Sequence, residues 1–176
     1  QVHQPFADGS CTACHSPHAS NTPHLLLKPQ RELCSDCHSD PGTVAHPHGP
    51  VEAGDCTACH APHSSDDKPL LARKGDALCT ECHSDIADLM KAKKVKHTAL
   101  DDGCTSCHKP HGGANPKLLA EAGQALCFQC HDDIADKVQK SPVAHAALAS
   151  AKGCASCHSP HAADQEKLLL APEKEG

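Results

Sequence analysis

Cysteine and histidine supply most of the reactive side chains in this chain, and their spacing follows one pattern. All 14 cysteines fall in seven Cys-x-x-Cys-His motifs: Cys11-Cys14-His15, Cys34-Cys37-His38, Cys56-Cys59-His60, Cys79-Cys82-His83, Cys104-Cys107-His108, Cys127-Cys130-His131 and Cys154-Cys157-His158. Two thiols three residues apart can form thioethers to the two vinyl groups of one haem, and the adjoining imidazole then reaches the iron from the same side. One copy would be a weak signal. Seven copies that consume every cysteine imply seven covalently attached haem c groups, with the 14 cysteines as anchors and the seven motif histidines as proximal iron ligands.

Two other chemistries use cysteine at such density. Zinc ribbons pair two Cys-x-x-Cys knuckles at a separation like that between Cys14 and Cys34. Zinc, however, gives no role to a histidine after every motif, and it leaves Cys154 and Cys157 without a second knuckle. A disulfide scaffold accounts for an even cysteine count and for nothing about the histidines.

Ten histidines lie outside the motifs, and eight of them are periodic: His3, His48, His97 and His145 upstream of alternate motifs, and His18, His63, His111 and His161 in Cys-His-x-Pro-His segments. They are the candidate distal ligands, so bis-histidine ligation is expected throughout. The simplest assignment gives His3, His48, His97 and His145 to the first haem of each repeat and His18, His63 and His111 to the second, leaving His161 surplus or available to a neighbouring molecule. A permuted assignment, with upstream histidines serving the preceding haem, strands His3 instead. His24 and His46 have no equivalents in the other repeats and are read as solvated side chains. Met90, the sole methionine, allows His/Met ligation at one iron at most, so low potentials are expected.

The elements that position these groups repeat. Anchors at Cys11, Cys56, Cys104 and Cys154 are 45, 48 and 50 residues apart, a period typical of an array. Each anchor is followed at the same offset by a leucine (Leu25, Leu70, Leu118, Leu168), suited to covering a haem edge or to packing between repeats. The first three repeats add a second motif 23 residues after the anchor. The expected division is three dihaem repeats, at 1–42, 43–90 and 91–140, and a monohaem half repeat at 141–176. Gly9, Gly54, Gly103 and Gly153 stand just before the anchors, where a tight turn would deliver the chain to the haem. Pro, Gly, Asp and Ser punctuate the gaps, so the fold should be mainly irregular with short α-helices and few or no strands. The clearest helical stretches are Asp76 to Lys94 and Glu121 to Lys140.

Two Phe and neither Tyr nor Trp among 176 residues leave too little aromatic surface for an ordinary core. The expected architecture is therefore elongated, with haems as the core, and the haem-free chain should be largely unfolded. A net charge of −6 argues against nucleic acid as a partner. No apolar run is long enough to span a membrane and no signal peptide is visible, which reads as the processed form of an exported protein.

With units such as Cys104-Thr-Ser-Cys-His-Lys-Pro-His111 followed by Leu126-Cys127-Phe-Gln-Cys-His131, the chain resembles the doubled Cys-x-x-Cys-His cytochrome family along nearly its whole length. Members include periplasmic electron donors of respiratory reductases, and extracellular cytochrome filaments are built from similar elements. The resemblance implies a chain of haems nearly in contact, alternating parallel stacks with roughly perpendicular pairs, and electron transfer rather than catalysis. Potential ligands outnumber irons, and no Cys-x-x-Cys-Lys motif is present. Two roles follow: subunit of an extracellular head-to-tail polymer of identical chains, or monomeric periplasmic shuttle to other redox proteins.

Overall fold

A computed structural model describes residues 1–172. Short helices joined by turns make up its ordered structure, as the punctuation of the sequence requires. In chain order the α-helices are α1 (Gln4–Ala7), α2 (Gln30–Ser35), α3 (Gly49–Ala53), α4 (Asp76–Thr80), α5 (Ser84–Ala92), α6 (Gln124–Phe128) and α7 (Asp132–Lys140). Four two-residue strands accompany them: β1 (His46–Pro47), β2 (Val95–Lys96), β3 (Gly112–Gly113) and β4 (Ala162–Ala163).

The two long helical stretches expected from periodicity are each divided. Helices α4 and α5 separate at His83, and α6 and α7 separate at His131, where ψ values of 55° and 56° take the backbone out of the helix. The cause is the attachment motif. The His131 amide still donates to the Cys127 carbonyl at 3.0 Å, closing the last turn of the cysteine helix, and the chain then swings away.

The first cysteines of alternate motifs sit instead on single 3₁₀ turns, Cys11–Ala13, Cys56–Ala58, Cys104–Ser106 and Gly153–Ser156. The glycine ahead of each has positive φ, between 50° and 87°, which explains its recurrence.

The chain forms two compact units. The first comprises Gln1–Cys79 with Pro110–Ala114, and the second Thr80–Lys109 with Asn115–Gly176. Within the first, β1 pairs antiparallel with β3, His46 opposite Gly113 and Pro47 opposite Gly112. Within the second, β2 pairs with β4, Val95 opposite Ala163 and Lys96 opposite Ala162. Helix α2 is tied to the next repeat by Gln30, whose side chain bonds both the Thr57 hydroxyl at 3.0 Å and the Thr57 amide at 3.2 Å.

Gly112 is fixed by close approach. A Cβ there would lie 2.5 Å from the His46 carbonyl oxygen and 2.8 Å from Pro47 Cα, at a φ of 128°. Gly112→Ala should open the β1–β3 pair at a cost of about 2–4 kcal/mol, read as a lowered melting temperature of the holoprotein.

An ordinary core is absent. Among the described residues the buried hydrophobics are Ala162 and Ala163, and no large side chain is fully buried. The polypeptide leaves 12342 Å² accessible, against about 8200 Å² for a folded monomer of this mass. Apolar side chains such as Val2, Phe6 and Leu27 are half exposed, where a bound apolar group would cover them.

Candidate haem-binding site

Imidazoles on opposite faces of one metal, with metal–nitrogen bonds of about 2 Å, have ring centroids about 6 Å apart. Among the described residues, five histidine pairs are seen at this spacing. His15 faces His63 at 6.0 Å and 31°, and His60 faces His111 at 5.9 Å and 32°. His108 faces His161 at 6.2 Å and 17°, His3 faces His38 at 6.0 Å and 23°, and His97 faces His131 at 6.1 Å and 15°. Each pair joins one motif histidine to one periodic histidine outside the motifs. The donor set therefore fits bis-histidine haem iron, with Cys-x-x-Cys thiols beside one imidazole of each pair.

These pairs follow neither assignment suggested by spacing. His3 and His97 face the second motif of their own repeats rather than the first. His63, His111 and His161 face the first motif of the repeat before, rather than the second motif of their own. His161, expected to be surplus, has a partner in His108, and His3 is not stranded. Among the described residues no ring faces His18, His145 or His158. His48 and His83 occupy in the second repeat the positions held by His3 and His38 in the first.

The two sets of capping histidines are held together by backbone. The amides of His3, His48 and His97 donate to the carbonyls of His63, His111 and His161 at 2.9, 3.1 and 2.9 Å. Strand pairs β1–β3 and β2–β4, and the Val2–Ser64 bridge, lie directly beside these bonds. Burial, helped by the neighbouring His60 and His48, holds His111 below the usual imidazole range, and burial with His108 and His97 does the same for His161. The neutral ring is the form that ligates metal.

The proximal rings of the first motifs are oriented by a hydrogen bond that the sequence did not reveal. Nδ1 of His15, His60, His108 and His158 lies 2.9, 3.1, 2.9 and 2.7 Å from the carbonyl oxygens of His24, Pro69, Lys117 and Lys167, nine residues on. An Nδ1–H donated to a carbonyl fixes the tautomer with its lone pair on Nε2, which would then be available to a haem iron. Those carbonyls sit in a turn with left-handed residues, including His24, Lys117 and Lys167. The repeated leucines Leu25, Leu70, Leu118 and Leu168 share it, and each accepts a backbone bond at 2.7–2.8 Å from the residue after the proximal histidine. Their recurrence thus marks a hairpin closing onto the attachment motif. His24 contributes through its carbonyl and has no imidazole facing it among the described residues. His46 lies on β1.

The thiols also report how attachment sites neighbour one another. Cys34 is pushed up to about 11 by burial and by the adjacent Cys56 thiol, with Cys14 nearby. Burial and the adjacent Cys154 thiol raise Cys127 in the same way, with Cys107 nearby. At these two junctions, one in each compact unit, the second attachment site of one repeat is therefore next to the first site of the following repeat. None of the 14 cysteines forms a disulfide.

The family model for the doubled CXXCH motif matches four times, at residues 3–43, 48–88, 97–136 and 145–176. No curated protein matches the chain. With most of its length covered by these matches, the protein belongs to the doubled CXXCH family of multihaem c-type cytochromes, electron carriers with covalently attached haem c. None of the described helices is long and apolar enough to cross a membrane.

Proposed function

We propose that the chain is a heptahaem cytochrome that conducts electrons through closely spaced bis-histidine haems, as a subunit of an extracellular head-to-tail polymer. The observation that carries this reading is the interlocking of the imidazole pairs. In a segment such as His60-Ala-Pro-His63, the first histidine is the proximal ligand of its own repeat and the second faces His15 of the repeat before. One four-residue stretch therefore serves two irons, linking neighbouring first-motif haems within each compact unit. The second-motif haems fill the intervals, as the Cys34–Cys56 and Cys127–Cys154 proximities indicate.

Bound haem supplies the reversible one-electron couple, and the polypeptide supplies spacing, ligation and shielding from solvent. The first-motif proximal rings are held by carbonyls and the distal histidines by backbone ladders, and neither needs to move for an electron to pass. Export fits thioether attachment. A catalytic role would need an open coordination position for substrate, and the paired imidazoles fill that position at the sites where they occur.

Two measurements test this. Intact mass should exceed the polypeptide by seven haem groups, and a smaller increment would refute the count. Negative-stain microscopy of native material should show filaments. Discrete single particles would instead support the monomeric periplasmic shuttle.

A further inference from the structure

We infer that Phe6 is a positioning residue for electron transfer: its ring sets the plane of the His63 imidazole on the iron that His63 shares with His15, and keeps water from that ligand. The inference rests on the bis-histidine reading of the haem sites above and adds the side chain that orients one ligand.

The rings around His63 are aimed by hydrogen bonds, and His63 is not. Across the shared iron, Nδ1 of His15 is held by the His24 carbonyl at 2.9 Å. At the neighbouring site Nδ1 of His3 is held by the Pro62 carbonyl, also at 2.9 Å. Among the described residues the His63 ring makes no such bond. Its backbone is fixed, because its carbonyl accepts from the His3 amide at 2.9 Å, but that bond leaves the ring free to turn about its side-chain torsions. What meets the ring is Phe6, with centroids 5.0 Å apart and planes 41° to one another, a separation within the range that aromatic pairs adopt.

Phe6 is itself held. Helix α1 is a single turn with His3 at its N-cap. The amides of Ala7 and Gly9 donate to the carbonyls of His3 and Phe6 at 2.9 and 3.1 Å, and the Ser10 amide donates to the Pro5 carbonyl at 2.9 Å. The turn that offers His3 to the His38 iron therefore also braces the ligand of the His15 iron.

The position recurs along the chain. An apolar residue stands three after every upstream histidine: Phe6, Val51, Leu100 and Leu148. In the first three repeats the amide of the glycine ahead of the anchor closes the turn onto this residue, Gly9 on Phe6, Gly54 on Val51 and Gly103 on Leu100, at 3.1, 3.0 and 3.1 Å. The amide bonds from His48 to His111 and from His97 to His161 repeat the register of His3 on His63. That register assigns Val51 to the His111 ring and Leu100 to the His161 ring. Phe6 differs from both in presenting a flat face. An aliphatic side chain covers a ligand, whereas a ring face also fixes its plane.

In ferric low-spin haem the angle between the two axial imidazole planes governs the g-values, and the polarity around the ligands governs the potential. Electron paramagnetic resonance and redox titration of the holoprotein therefore test the assignment. Phe6→Ala should stay six-coordinate and low-spin, since His63 is still present. The g-values of one haem should move and broaden, and its midpoint potential should fall as water stabilises the ferric charge. Phe6→Leu, which supplies the side chain found at Leu100, should restore the potential while the g-values stay displaced. The inference is overturned if Phe6→Ala keeps the wild-type g-values and potentials, including the case in which only the melting temperature drops, as it would for a purely structural contact. His63→Ala, measured alongside, separates this from the haem reading. If that protein stays low-spin, His63 is no ligand and the pairing itself fails; if it turns high-spin, the pairing stands whatever the Phe6 variants show.

Discussion

With all 14 motif cysteines replaced by serine, so that no haem is attached, the chain should show no cooperative thermal transition and little helical signal. Ordering the backbone costs roughly 1–2 kcal/mol per residue. Against this the polypeptide buries two alanines as its hydrophobic core among the described residues, each contributing about 1 kcal/mol or less. Its helices run to nine residues at most, below the roughly 12–15 at which isolated helices become marginal in water. What remains is a set of surface ion pairs, such as Lys28–Asp36 and Lys93–Asp164, whose exposed charges are screened by water and add little. Far-UV circular dichroism and amide proton dispersion would check this, and a folded haem-free variant would show that the missing core lies elsewhere.

The second large effect is expected from His63→Ala. His63 faces the His15 ring at 6.0 Å, so its loss should leave one iron per chain five-coordinate, with a high-spin ferric spectrum and one new carbon monoxide site per chain. His63 also contacts Phe6, with ring centroids 5.0 Å apart, so the His3 segment should loosen as well. Alanine at His24 or His46 should change neither spin state nor carbon monoxide binding, because among the described residues neither ring faces a motif histidine. Resonance Raman spectroscopy of the four proteins separates these outcomes. A low-spin His63→Ala protein would refute the pairing.

Much of this was legible before any coordinates, for a physical reason. Covalent attachment writes itself into the sequence as a fixed local spacing, so Cys154-Ala-Ser-Cys-His158 announces its role in five residues. The repeat was equally plain, and with it the short helices and turns. Axial pairing was not, because a sixth ligand arrives from a distant part of the chain and its motif records only that a histidine is offered. His63 and His18 look alike in sequence, yet one finds His15 across a repeat boundary and the other finds nothing among the described residues. The helix break at His131 was missed because periodicity in Glu121 to Lys140 registers the apolar face and not the turn that aims the imidazole. The carbonyl of Lys117 was invisible for a further reason: its chemistry belongs to the backbone, and only the recurrence of Leu118 beside it hinted at a shared turn.

The carbonyls that receive Nδ1–H from His15, His60, His108 and His158, and the Pro62 carbonyl that receives it from His3, tune the cofactors electronically. A donated hydrogen bond pushes an imidazole toward its anion and makes it a stronger electron donor to ferric iron. The bond falls on the motif imidazole at His15 and on the opposing imidazole at His3, whose ring faces His38, so both kinds of site should be drawn to more negative potential. Main-chain oxygens, which no side-chain substitution removes, would then set the energy level at which charge passes.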